Sequence, residues 1–260
     1  MQIKHCKDFK HFGERDPKRP IKYLVVHSFA LPIEKMIEVC NQLEVGPHYI
    51  IDVKGNVIQL VPEDKVAWHA GKSFWRGEAS LNGASVGIEL QNMTLGQTAY
   101  PEAQLKSFVA LAKAIMKRYH ILPQNVVGHS DVAPTRKADP NICFPWAQMA
   151  KQGIGLWPSN QVVKSRQSSK TLLERIGYDT TDEKAALFAF MRHFMPKYVP
   201  VDKDILHIEE NLPAYIENQS APAKAVRERL AAVAAVYDPP KALKRAMPKT
   251  IAQKKLAFLK

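Results

Sequence analysis

At 260 residues the chain has room for one large domain, or for a medium domain with a small one beside it. A hydrophobic fraction of 46% with 24% charged residues excludes a disordered or fibrous chain. The formal net charge of +12 favours acidic partners, but no Cys/His finger spacing, aromatic RNA-binding signature or recognition-helix motif accompanies it, so nucleic acid is not expected among them.

The chain opens on MQIKHCKDFKHFGERDPKRP, which is basic and carries no apolar core, so no secretory leader is expected. The three cysteines, Cys6, Cys40 and Cys143, are odd in number and widely spaced, which is not a disulfide framework. Both features predict a cytoplasmic protein, with a periplasmic or envelope location as the alternative. No apolar run approaches the roughly 18 residues of a membrane span.

Residues 21–27 (IKYLVVH) form a β-branched run that predicts a buried strand. Pro32 then opens a helix over 33–43, with Ile33, Met36, Ile37 and Cys40 on one face. The segments 48–53 (HYIIDV) and 57–61 (VIQLV) flank Lys54-Gly55-Asn56 and predict a hairpin. Another strand is expected at 85–91 (SVGIELQ). Leu105, Phe108, Val109, Ala112, Ile115, Met116 and Tyr119 make 101–119 an amphipathic helix, stopped by Pro123, and 125–128 is a short strand feeding His129.

Residues 157–169 are polar and aperiodic, and predict a linker. Helices are expected beyond it at 170–176, 183–194 and 223–237, with a looser stretch at 202–216. Thr181 or Asp182 is the expected N-cap of the second of these. The last segment, 241–260, is basic and predicts a final helix or a loose tail. The fold class is therefore α/β, a mixed central sheet flanked by helices, followed by a small all-helical C-terminal domain. The expected boundaries are 1–160 and 170–260.

Chemistry concentrates at strand ends, where loops present functional groups. His27 ends the first strand, His129 ends a later one, and Asp139 follows in TRKADP. Two imidazoles and a carboxylate satisfy a three-ligand catalytic metal site, although each His alone is as readily a strand cap. Lys137 stands two residues before Asp139; in an extended loop the two side chains point the same way.

Five segments in order, YLVVHS (23–28), GPHYIID (46–52), GNVIQLVPEDKVAWHAG (55–71), SLNGASVGIELQN (80–92) and VVGHSDVAPTRKADPNICFPW (126–146), resemble the zinc N-acetylmuramoyl-L-alanine amidases of the type-2 amidase and peptidoglycan recognition protein superfamily. The nearest branch is AmpD/AmiD-like. The resemblance implies a Zn2+ ion on His27, His129 and Asp139, with Asp rather than the Cys of phage-type relatives as third ligand. It implies Glu89 as general acid/base and Lys137 as oxyanion stabiliser. His48, Trp68, His69, Ala70, Asn82 and Arg136 are the implied groove residues. The implied reaction is hydrolysis of the amide between N-acetylmuramic acid and L-alanine in peptidoglycan or (anhydro)muropeptides; the alternative is a non-catalytic peptidoglycan-binding or sensing protein. The stretch 172–196 (LLERIGYDTTDEKAALFAFMRHFMP) resembles, more weakly, a three-helix peptidoglycan-binding domain.

Overall fold

The computed structural model describes residues 2–94, 98–159, 163–199, 205–219 and 221–238. Ten strands run in chain order as β1 (Ile3–His5), β2 (Phe12–Glu14), β3 (Tyr23–Phe29), β4 (Tyr49–Ile51), β5 (Val57–Gln59), β6 (Lys65–Ala67), β7 (Phe74–Trp75), β8 (Glu78–Ala79), β9 (Ser85–Gln91) and β10 (Val126–Gly128). Among them runs a six-stranded sheet of order β1-β5-β4-β9-β3-β10. The β4–β5 hairpin is antiparallel, and β9 pairs in parallel with both β4 and β3, so the sheet is mixed as the sequence predicts.

Strand parity divides the sheet into two faces, because successive side chains point to opposite sides. Leu24 and Val26 of β3, with Val86, Ile88 and Leu90 of β9, face the core under the long helix α2 (Glu102–Tyr119), after α1 (Ile33–Gln42). Phe108, Leu111, Ala112 and Ile115 of α2 fill that layer. Tyr23 and Val25 point the other way, toward the helices that follow β10. Burial on both faces explains why β3 reads as a continuous apolar run instead of an alternating one.

Beyond β10 come α3 (His129–Val132), α4 (Trp146–Lys151), α5 (Ser169–Ile176), α6 (Glu183–Phe194), α7 (Ile205–Glu210), α8 (Leu212–Glu217) and α9 (Ala223–Tyr237). Ser168 caps α5, its hydroxyl accepting from the Thr171 N–H at 3.1 Å. Asp182, rather than Thr181, caps α6 by accepting from the Ala185 N–H at 2.9 Å. These helices do not enclose a core of their own. Leu173, Phe190 and Leu230 share one apolar cluster with Tyr23, Val25 and Trp75 of the sheet region.

Two features depart from the sequence expectations. The helix α2 closes at His120, which adopts a left-handed conformation (φ 54°), and Pro123 instead begins a short 3-10 turn. The polar start of the chain supplies β1, which pairs with β5 at the sheet edge, and β2, which pairs with β6. These three-residue strands bury little, so no periodicity marks them. The loose stretch after 202 resolves into α7 and α8, while the basic segment 241–260 lies outside the described residues. Among the described residues no helix is long and apolar enough to cross a membrane.

Candidate active site

The site forms on the face opposite α2, at the C-terminal ends of parallel strands, where open α/β sheets usually place their ligands. His27 and Glu89 are register partners on β3 and β9, so their side chains emerge side by side. His129 follows β10, itself parallel to β3, and the loop after α3 returns Asp139 to the same point. His27, His129 and Asp139 are buried, and one ligand atom from each lies within 4.8 Å of the others.

Proton bookkeeping shows which atoms face one another. The Ser85 hydroxyl donates to the Leu81 carbonyl at 2.7 Å, so its oxygen accepts from His69 Nε2 at 3.1 Å. That leaves His69 Nδ1 to accept from His27 Nε2 at 3.0 Å, and the Nδ1 lone pair of His27 stays bare. His129 Nε2 donates to the Ala70 carbonyl at 3.3 Å, which bares its Nδ1 as well. These two Nδ1 atoms lie 3.0 Å apart, and Asp139 approaches them at 3.1 and 3.0 Å. Three electron-pair donors thus converge with no proton between them, an arrangement that a cation stabilises.

The electrostatics agree. Burial, reinforced by the neighbouring His129, lowers the His27 pKa to about 4, so the ring is neutral at ordinary pH.

Glu89 is the complementary case. Its Oε1 lies 4.0 Å from His27 Nδ1, while Oε2 is buried without a hydrogen-bond partner. Burial, with the Asp139 charge adding to it, raises the Glu89 pKa well above the ordinary carboxylate value. Lys137 and Asp139 both line the cleft, as the i, i+2 spacing predicts. The Lys137 ammonium meets the Glu209 carboxylate at 2.8 Å.

The cleft holds about 480 Å³, within the range of small-ligand sites. Its lining combines apolar side chains (Phe29, Leu31, Met36, Val45, Trp68) with the charged groups of the site. Of the predicted groove residues, Trp68 is 42% exposed at the cleft. Arg136 lines it too, but donates through Nε and Nη2 to the Lys72 carbonyl, and through Nη2 also to that of Ala70, which leaves one edge of its fork toward the cleft. Asn82 accepts from the His69 and Ala70 N–H groups at 3.1 and 2.7 Å and so pins the AWHAG loop. His69 packs over Gly87, where a Cβ would stand 2.5 Å from its ring; a side chain there would push the ring off His27. Ala70 is fully buried, offering its carbonyl rather than its methyl to the site.

His48 is also fully buried, behind the cleft wall, and is not a lining residue. Its Nδ1 accepts from the Gly87 N–H at 3.0 Å, and burial, with the Arg15 charge adding, lowers its pKa to about 3. The unfolded chain takes up that proton near pH 6.5, which the folded ring resists until about pH 3. Between those values the unfolded state binds more protons, so this contribution is complete above 6.5 and is lost as the pH falls. Thermal melts from pH 7 to pH 4 are therefore expected to show a falling Tm, with a shallower fall in His48→Gln.

Several supporting residues carry no signal in the sequence. Ser85 fixes the His69 tautomer, and Glu209 arrives from the aperiodic stretch that forms α7. Asp131 lies two residues after His129; it accepts from the Gly128 N–H, the Tyr178 hydroxyl and His193 Nδ1 at 2.7, 2.6 and 2.7 Å. Its position inside the GHSD block is the one clue that could have singled it out.

Known proteins resemble this chain in sequence and fold. The family profile described as N-acetylmuramoyl-L-alanine amidase matches residues 17–142. The N-acetylmuramoyl-L-alanine amidase AmiD of Escherichia coli (strain K12) is 38% identical over 208 residues, 68% of this chain and 75% of the relative. Its solved complex with the substrate anhydro-N-acetylmuramic acid-L-Ala-D-gamma-Glu-L-Lys superposes with a TM-score of 0.62 at 33% identity, covering 83% of this chain and 93% of that one. The 1,6-anhydro-N-acetylmuramyl-L-alanine amidase AmpD of Enterobacter cloacae is 44% identical over 94 residues, 36% of this chain but only 49% of its own length. The crystal structure of AMPDH3 from Pseudomonas aeruginosa gives a TM-score of 0.67 at 27% identity, over 85% of this chain and 93% of that one. A buried His-His-Asp group beside a glutamate of raised pKa, on a fold that covers 93% of the AmiD and AMPDH3 structures and with 38% identity over 75% of AmiD, leads to one conclusion: the chain belongs to the N-acetylmuramoyl-L-alanine amidase family.

Proposed function

We propose that this amidase uses zinc held by His27, His129 and Asp139 to hydrolyse the amide between N-acetylmuramic acid and L-alanine in anhydro-muropeptides. The carrying observation is the convergence of two bare imidazole nitrogens and an ionised carboxylate, 3.0 to 3.1 Å apart, next to an unpartnered glutamate oxygen. Tetrahedral ligands at about 2 Å from a zinc ion lie roughly 3.3 Å from each other, so the donor set fits that ion with little movement. The outer hydrogen bonds through His69 and the Ala70 carbonyl orient both rings, as is usual for metal-binding histidines.

When bound, zinc supplies Lewis acidity and shifts the pKa of water toward about 7. Glu89, whose Oε1 lies 4.0 Å from His27 Nδ1, takes the proton from the attacking water and delivers it to the departing alanine nitrogen. Burial, with the Asp139 charge adding to it, raises the Glu89 pKa, which favours holding the proton between the two transfers. Lys137 donates to the oxygen that gains negative charge as the carbonyl becomes tetrahedral. Trp68 offers an aromatic face to the sugar, and the free edge of Arg136 binds a stem-peptide carboxylate. The relatives that bind or act on anhydro-muramyl compounds support this substrate class. Among the described residues no disulfide joins Cys6, Cys40 and Cys143, which supports a cytoplasmic location.

Product analysis on an anhydro-N-acetylmuramyl tripeptide tests the reading. Free anhydrosugar and free peptide are expected, with loss of both on chelation and recovery on adding zinc. Binding without cleavage in the zinc-loaded protein contradicts it.

A further inference from the structure

The loop that carries Lys137 and Asp139 is held from outside the sheet domain. Arg192 of α6 donates to the Ala138 carbonyl through Nε and Nη2 at 3.1 and 2.8 Å. Glu209 of α7 engages Lys137 and Ala138. Its Oε1 accepts from the Ala138 N–H at 3.0 Å and its Oε2 from the Lys137 ammonium at 2.8 Å. The residue just before Asp139 thus has both its N–H and its carbonyl occupied by side chains of the helical region.

Glu209 also lines the cleft, so its carboxylate is within the site and not merely behind it. A lysine on a flexible four-carbon stem stabilises developing charge well only when something fixes its direction. One carboxylate oxygen uses one of the three ammonium N–H groups, which leaves two for a substrate oxygen. The second oxygen ties that same carboxylate to the loop backbone, so Lys137 is located relative to Asp139 and not just to α7.

We propose that Glu209 is a positioning residue for the amidase reaction: through its double contact it aims Lys137 at the reacting carbonyl, so the helical region completes the active site. This rests on the reading of Lys137 as the oxyanion donor. The Lys137–Glu209 pair is partly exposed, 31% and 18% at the two side chains, and pairs of this kind contribute little to stability. Its loss should therefore be visible in turnover and not in folding.

The test is a double-mutant cycle on an anhydro-muropeptide with full-length zinc-loaded protein, reading kcat, KM, zinc content and Tm for Glu209→Gln, Lys137→Ala and the double variant. The glutamine keeps the acceptor for the Ala138 N–H but removes the charge from Lys137. Glu209→Gln is expected to lower kcat roughly tenfold, the scale of a small misplacement of a catalytic group, with KM, zinc content and Tm unchanged. In the Lys137→Ala background the same change is expected to have no further effect. Wild-type kcat in Glu209→Gln, alongside an impaired Lys137→Ala, overturns the proposal alone. Equal losses in both backgrounds also overturn it, since Glu209 would then act independently of Lys137. Full activity in Lys137→Ala overturns the role of Lys137 itself.

Discussion

Glu89→Gln is expected to bind zinc and substrate as the parent does, yet to lose a factor of about 10² to 10⁴ in kcat, the usual worth of a positioned general acid/base. The amide is isosteric with the carboxyl group and fits between β3 and β4, but it neither accepts a proton from water nor hands one to nitrogen. The same change is expected to raise Tm. Glu89 Oε2 is buried without a partner, and an uncompensated carboxylate is costly to keep inside a protein. A catalytic group held against the preference of its surroundings trades stability for activity. Kinetics and thermal melts on one preparation check both halves; normal turnover in the variant would remove Glu89 from the mechanism.

Asp139→Ala is expected to have the larger effect on the metal. Residues that only support a ligand are worth roughly 10- to 100-fold in metal affinity, so removing a ligand should exceed that range. Asp139 is also the anion that both bare imidazole nitrogens face, at 3.1 and 3.0 Å. Without it two neutral rings are left opposite one another. Zinc should raise the Tm of the parent protein, since a ligand that binds only the native state stabilises it by mass action. In Asp139→Ala that rise should vanish at matched zinc concentration, together with activity. Unchanged zinc content after dialysis would contradict the ligand assignment.

Much of this arrangement was legible in the amino-acid sequence, and the reasons are physical. Strands β3 and β9 are buried on both faces and so stand out as apolar runs, and the i, i+3, i+4 spacing of α2 marks it equally well. His27 and His129 could be picked out because each closes an apolar run in the sequence, although β3 itself continues to Phe29 and His129 follows β10. Their meeting with Asp139 could not be derived from spacing, since 102 residues separate the two histidines and only the parallel pairing of β10 with β3 joins them. The family resemblance closed that gap.

Other parts left no trace. His48 and Ala70 belong to motifs of the groove, but a motif does not say which of its residues face the ligand; His48 faces the Gly87 N–H instead. Glu209 sits in a stretch with weak periodicity, and a lone glutamate on a short helix reads as a solvated surface charge. The expected division at 160–170 hid a further point. Trp75 of the sheet region packs edge-on against Tyr178 and Tyr237, at 4.9 and 6.4 Å, so the two segments share an interior that neither composition nor linker polarity reveals.

The most direct test of the central claim is anomalous diffraction at the zinc edge from crystals of the purified, active protein. One zinc atom per chain, within bonding distance of His27 Nδ1, His129 Nδ1 and an Asp139 oxygen, is the predicted result. Fully active protein without zinc, or with the ion bound elsewhere, would contradict it.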